Sequence, residues 1–331
     1  MNLKDRIQAF SLLGDKINQL TQEEIRNFAK QAKNENPWFT EENVKMALEG
    51  IGFMLQGHKL TQWLKVYDLN VEVPKIVGIV MAGNIPLVGF HDLMSVLLTG
   101  HYAAVKTSSK DTFLVRLIIG WLLELAPGLK KNISFRERLT EIDAVIATGS
   151  DNTARYFHYY FDKIPNIIRK NRVSVAIIDG SETREEFEAL GLDIFSYYGM
   201  GCRNVSKVFY PKGFDPTQIF ESFELFKQVS DNHKYQNNYD YHKSIFLINK
   251  IPHLDTGFLL WQETDELVSP LSVIYSEAYS TKSNLQQRLQ HLESKIQCVV
   301  GHEFIPFGKA QFPEPWDYAD NVDTIKFLST I

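Results

Sequence analysis

Four short apolar runs, each leading into a polar loop, dominate the chain after Pro74 and leave it few architectures. The first is Ile76-Val77-Gly78-Ile79-Val80-Met81, followed by a helical pattern over about residues 87–99 that stops at Gly100. The second, Tyr102-Ala103-Ala104-Val105, precedes an amphipathic stretch over about 111–125. The third is Ala144-Val145-Ile146-Ala147, and the fourth is Val173-Ser174-Val175-Ala176-Ile177-Ile178. Short runs without polar alternation are strands buried on both faces. Their alternation with helices predicts a parallel sheet covered on both sides. Such sheets bind ligands at the strand C-terminal ends. The loops Gly83-Asn84, Lys106-Thr107-Ser108 and Thr148-Gly149-Ser150 are therefore expected to line one cleft. No G-x-G-x-x-G follows any of these runs, so the usual dinucleotide fingerprint is absent.

Residues 1 to about 70 read as helical. Thr21-Gln22-Glu23-Glu24 is a capping box, and Thr40 followed by Glu41 and Glu42 is a second helix start. The 331 residues are 44% hydrophobic, enough for a large core or two domains. A net charge of -5 argues against a nucleic-acid binder that works by bulk electrostatics. The longest apolar run, 114–125, contains Arg116 and Glu124, so no membrane span is expected. Two cysteines are too few for a disulfide framework, and no apolar signal core follows Met1; both predict a cytoplasmic protein.

Of the two cysteines, Cys202 is placed for chemistry. Gly199 and Gly201 clear bulk just before it, and Val205 to Tyr210 reads as the strand behind it. A thiol on a glycine-opened loop beside a strand presents a nucleophile. The alternative is a small buried hydrophobe. Cys298, in Ile296-Gln297-Cys298-Val299-Val300, reads as a buried strand residue.

Taken in order, these loops resemble the aldehyde dehydrogenase superfamily. Gly83-Asn84-Ile85-Pro86-Leu87 is similar to its W-N-F-P-L loop, and Gly100 to Ser108 to its G-N-x-V-V-x-K-P-S segment. Ala147-Thr148-Gly149-Ser150 is similar to F-T-G-S, Gly199-Met200-Gly201-Cys202 to the G-Q-x-C nucleophile loop, Glu266 to Pro270 to E-I-F-G-P, and Pro306-Phe307-Gly308 to the late P-F-G. Gly201 to Ser206 and the tail Pro313 to Asp320 resemble the branch of acyl-CoA and acyl-protein thioester reductases, which includes the fatty-acid reductase of bacterial luminescence. The resemblance implies an α/β fold: a helical N-terminal segment (1–75), a Rossmann-like parallel cofactor domain (76–195), a second α/β catalytic domain (196–310) and a tail (311–331).

The resemblance also implies roles. Cys202 attacks the thioester carbonyl, and Asn84 with the Cys202 amide stabilises the oxyanion; Asn84 is alternatively a turn former before Pro86. Lys106 and Ser108 face the cofactor ribose. Gly149 and Ser150 approach the pyrophosphate or nicotinamide, with Ser150 alternatively an ordinary helix cap. Glu266 holds the nicotinamide ribose, with Val268 against the ring. Lys106 is otherwise a strand-end surface lysine, and Glu266 solvated charge. His233, His242 and His302 lack metal-ligand spacing, so no metal is predicted. Tyr156, Phe157, Tyr159, Tyr160 and Phe161 pack a core or line an acyl tunnel.

Two departures from the superfamily bear on mechanism. Aldehyde oxidisers carry a general-base glutamate downstream of the T-G-S turn; the stretch Ile168-Arg169-Lys170-Asn171-Arg172-Val173 has no carboxylate. Without a base, hydrolysis of a cysteine thioester is slow, which favours NADPH-dependent reduction of an acyl-CoA or acyl-protein thioester to a fatty aldehyde over aldehyde oxidation. Second, Lys106-Thr107-Ser108 is followed by Ser109 and Lys110 rather than a carboxylate. A hydroxyl and an ammonium accept a 2′-phosphate, so NADPH is expected over NADH; alternatively the serines only cap the next helix. An acyl-phosphate reductase of the glutamyl type and a non-reducing acyl carrier or scaffold are the other functions kept open. The segment from Phe304 to Ile331 carries Phe304, Phe307, Phe312, Trp316, Tyr318 and Phe327, which need a surface to cover them, and a homodimer is expected to supply it; packing along the same chain is the alternative.

Overall fold

The computed structural model describes residues 1–331, the side chain of residue 151 aside, and the chain divides into two compact units: 1–171 with 312–331, and 172–311. The first begins with four helices, α1 (Leu3–Asn18), α2 (Gln22–Glu35), α3 (Glu41–Met54) and α4 (Gly57–Leu64). The capping box forms as read: the Thr21 hydroxyl accepts the Glu24 amide at 3.3 Å, and the Glu24 carboxylate accepts the Thr21 amide at 2.8 Å. Thr40 caps α3 through its hydroxyl alone, which accepts the Asn43 amide at 3.3 Å. Phe10, Leu13, Leu48, Leu55 and Leu60 are fully buried at the helix contacts.

A sheet follows, made of β1 (Ile76–Val80), β2 (Tyr102–Lys106), β3 (Ile133–Phe135), β4 (Ala144–Thr148) and β5 (Asn166–Arg169), with α5 (Phe90–Thr99), α6 (Thr112–Leu125) and α7 (Asp151–Phe161) between them. The order is β3-β2-β1-β4-β5 and every pairing is parallel. Gly100 ends α5 in the left-handed conformation, φ 96°, where a side chain would be strained. The chain runs outward from β1 to β3 and then returns to β4, so the loops after β1 and β4 diverge at a switch point, where such sheets have a crevice. β3 and β5 were not read from the sequence: neither is a continuous apolar run.

The second unit holds β6 (Val173–Ile177), α8 (Arg184–Phe195), β7 (Val205–Pro211), α9 (Thr217–Phe223), α10 (His233–Ile248), β8 (Leu254–Asp255), β9 (Leu260–Glu263), β10 (Val273–Tyr279), α11 (Lys282–Leu292) and β11 (Ile296–Val300). Its sheet order is β11-β6-β7-β10-β9-β8, parallel except for β8 against β9. Phe195 anchors the core, stacked on Phe226 at 5.1 Å and edge-on to Phe223 at 5.5 Å. Gly191 makes this possible: a Cβ there would lie 2.1 Å from the Phe226 ring.

One expectation needs correcting. The run 173–178 is a strand, but as β6 it belongs to the second sheet, and the second unit starts at Arg172 rather than at residue 196. An apolar run fixes that a strand is buried, not which sheet buries it. Much of the tail packs along its own chain. Phe312 packs edge-on against Phe53 at 6.1 Å, and Tyr318 is buried with its hydroxyl taking the Trp63 Nε1 hydrogen at 2.7 Å. Tyr67 donates to Asp323 at 2.9 Å, and the short C-terminal helix Thr324–Ser329 packs beside α5. Burial pulls the His91 pKa down, so its neutral ring donates through Nε2 to the Pro315 carbonyl at 2.8 Å. Phe312, Tyr318 and Phe327 thus find cover on their own chain, whereas Trp316 stays exposed.

Candidate active site

In the second unit, the Cys202 loop is built by a strained turn and one asparagine. After α8, Tyr197 (φ 50°), Tyr198 (φ 57°) and Gly199 (φ 79°) are left-handed in succession. For the two tyrosines this costs about 1–2 kcal/mol each. Asn204, 3% exposed, holds the turn: its Oδ1 accepts the Gly201 amide at 2.8 Å, and its Nδ2 donates to the carbonyls of Ser196 (2.8 Å), Asp193 (3.1 Å) and Ile194 (3.3 Å). Ser174 on β6 donates to the Cys202 carbonyl at 3.0 Å and lies 3.0 Å from the Cys298 sulfur. Cys202 is half-buried. Gly199 and Gly201 line a small cleft, partly open to solvent, with Ile194, Tyr198, Asn204, Tyr235 and Leu259.

The later motifs are tied to the same loop. Arg203 donates to the Ala310 carbonyl, and buried Asp193 accepts the amides of Gly308 (2.6 Å) and Ala310 (3.0 Å). Burial raises the Asp193 pKa to about 6, against the pull of those amides. The Pro306-Phe307-Gly308 segment is thereby fixed to the end of α8 and to the residue after Cys202. The Glu266 segment is fixed to β7. Lys207, fully buried, donates to the carbonyls of Thr264 and Glu266 at 2.9 Å each, and Ser206 donates to Leu267 at 3.0 Å while accepting the Ser269 amide at 2.7 Å. Glu266 itself is exposed, as is Val268.

In the first unit, the expected loops gather at the C-terminal edge of the sheet. Lys106 is exposed at the end of β2, and Ser108 and Ser109 follow it. Gly83 sits so close to Ser108 that a Cβ would come within 2.6 Å of its hydroxyl. Asn84 is exposed on the loop after β1. After β4, Ser150 caps α7 by accepting the Thr153 amide at 3.3 Å. The serines before α6 do not cap it. Glu35, from the end of α2, accepts the Thr112 and Phe113 amides at 2.7 and 2.9 Å. Its neighbour Asn36 donates to the Gly83 carbonyl at 2.9 Å. Asp111, buried with its pKa raised to about 8 by desolvation, accepts the Leu87 amide at 2.6 Å, where Leu87 is left-handed at φ 59°. An exposed ammonium, two hydroxyls and the N-terminus of α7 fit the ribose and diphosphate of a dinucleotide. Because Glu35 occupies the α6 terminus, recognition of a 2′-phosphate there would fall to the Ser109 and Lys110 side chains.

Sequence reasoning missed Glu35, Asp193, Asn204, Ser206 and Lys207. One signal was available: a lysine inside the apolar strand Val205–Pro211 must find buried partners. Tyr156, Tyr159 and Tyr160 are exposed, so they are not core. Arg169, in the stretch without a base, is buried and paired with Asp92. Asp179, Glu182 and His302 have ligand atoms at metal-site spacing, but the His302 ring nitrogens bond Asp179 (3.0 Å) and Glu186 (2.9 Å), which raises its pKa and favours the imidazolium. No helix among the described residues is long and apolar enough to cross a membrane.

A switch-point sheet with a cysteine loop on a second α/β sheet is the aldehyde dehydrogenase fold. The NAD+ complex of the Bacillus cereus aldehyde dehydrogenase matches with a TM-score of 0.63 at 14% identity, over 91% of this chain and 72% of that one. The Pseudomonas aeruginosa aldehyde dehydrogenase KauB matches at 0.64 and 13%, with the same shares. Within that fold the chain belongs to the acyl-CoA reductase (LuxC) family, whose model matches residues 15–228. The long-chain acyl-protein thioester reductase of Aliivibrio fischeri is 26% identical over 172 residues, and a second from Photobacterium leiognathi is 23% identical over 172. Each alignment covers 46% of this chain and 36% of the relative, so the matched part spans about a third of the length of these curated relatives.

Proposed function

We propose that this protein reduces an acyl thioester, acyl-CoA or acyl-protein, to the aldehyde through a thioester on Cys202. The observation that carries the reading is the half-buried Cys202 on a loop that is strained at Tyr197 and Tyr198 and clamped by Asn204. The Cys202 thiolate attacks the acyl carbonyl, the new carbon–sulfur bond forms, and the donor thiol leaves with the proton that Cys202 gave up. Asn84 and the Cys202 amide are the groups assigned to the oxyanion of the tetrahedral adduct, at a few kcal/mol per donor. A reduced nicotinamide dinucleotide, when bound, supplies the hydride that converts the thioester to aldehyde and returns the thiolate. Lys106, Ser108, Ser109, Gly149, Ser150 and Glu266 are the residues proposed to hold it.

The stretch where oxidising relatives of this fold carry a base offers Arg169 instead, committed to Asp92. With no carboxylate there, water is not activated against the acyl-cysteine. Mixed with an acyl-CoA and no reductant, the protein should therefore gain one acyl mass that persists, and Cys202→Ala should gain none. Intact-protein mass spectrometry reads this directly; rapid return to the free mass with release of fatty acid would sink the reading.

NADPH is the proposed reductant, supported by Ser109 and Lys110, both exposed beside Lys106. Ser109→Glu places a carboxylate against a 2′-phosphate and should weaken NADPH by about tenfold while changing NADH little. Fluorescence titration with both reductants checks this. Equal losses would show that the loop does not touch the ribose.

A further inference from the structure

The segment that carries Glu266 has no helix or strand of its own between β9 and β10, yet three successive carbonyls in it are held by two cations, Lys207 buried and Arg288 partly exposed. Lys207 donates to Thr264 and Glu266 at 2.9 Å each, and Arg288 donates to Asp265. Both cations converge on Glu277, which pairs with Lys207 and takes the Arg288 Nε hydrogen at 3.1 Å. Lys207 is 0% exposed. Its three ammonium hydrogens thus have three acceptors, two of them loop carbonyls. An aliphatic residue would suit a buried strand face at far lower desolvation cost, so the lysine is accounted for by what it holds. With its carbonyls drawn inward, the segment leaves the Glu266 side chain exposed. Lys207 also stands on β7, the strand that leads directly out of the Cys202 loop.

We propose that Lys207 is a positioning residue for the dinucleotide, fixing the Thr264–Glu266 backbone to the nucleophile strand so that Glu266 is presented to the cofactor ribose. The proposal rests on the reading of Glu266 as a cofactor contact, and it predicts a split between two half-reactions. Lys207→Met fills the same space without a donor and leaves Glu277 paired with Arg288. Its dissociation constant for the reduced dinucleotide, by fluorescence titration, should rise about tenfold or more. Acylation of Cys202 by acyl-CoA, by intact mass, should slow less than about twofold, since the Asn204 clamp does not involve Lys207. Glu266→Ala should weaken dinucleotide binding to a similar degree, and the double variant should be little worse than either single one, because both act on one contact.

Dinucleotide affinity unchanged in Lys207→Met, with Glu266→Ala impaired, overturns the proposal. Affinity unchanged in Glu266→Ala overturns the reading of Glu266 on which it rests. Acylation lost in step with dinucleotide binding would make Lys207 a general support of β7 and also overturn it. If Lys207→Met does not fold, Lys207→Arg is read by the same pair of measurements: its longer fork displaces the segment while keeping the charge, and the same split is expected at smaller size.

Discussion

Cys202→Ala is expected to abolish aldehyde formation, by at least about a thousandfold in turnover, because the reaction then lacks the group on which the acyl chain is carried. The fold should not suffer. The loop is held through the side chain of Asn204 and through the Ser174 bond to the Cys202 carbonyl, neither of which involves the sulfur. Thermal unfolding should therefore stay within a degree or two of the parent, about the shift that a few tenths of a kcal/mol produce in a chain of this size. Cys202→Ser keeps shape and a weak nucleophile and should lose nearly as much. Full activity in the serine variant would remove Cys202 from the mechanism.

Asn204→Ala should have the largest effect on the catalytic unit itself. It strands the Gly201 amide and removes the donor shared by the carbonyls of Asp193, Ile194 and Ser196. A buried polar group left without its partner costs about 1–3 kcal/mol. Partial relaxation keeps the total near 2–4 kcal/mol, about the upper range of single substitutions. The turn it clamps, with Tyr197 and Tyr198 left-handed, would relax toward ordinary backbone, and the alkylation rate of Cys202 should change with it. Urea unfolding gives the stability change and a thiol-labelling time course gives the loop. A loss under about 0.5 kcal/mol, the ordinary surface value, would mean that the turn holds without Asn204.

Much of this protein is legible in residue order because the signals are local. The Thr21 box needs only Thr21 and Glu24, close along one turn, and it forms as read. The runs that became β1, β2 and β4 are apolar on both faces, so burial follows without knowing what buries them. The cysteine loop announces itself through Gly199, Gly201 and the strand behind them. Other features were beyond reach because their partners lie far along the chain. Glu35 caps a helix that begins at Thr112, and Lys207 holds carbonyls beyond residue 260. Nothing near Glu35 distinguishes it from the other charged residues of α2. The run at 173–178 shows the same limit: its composition decides that it is a buried strand, but hydrogen bonds to Val205–Pro211 and Ile296–Val300 decide that it joins the second sheet. So too the tail, whose aromatics require burial by their apolar area alone. That Trp63, Tyr67 and His91 of the same chain cover it was settled only when helices far apart in sequence were brought together by the core beneath them.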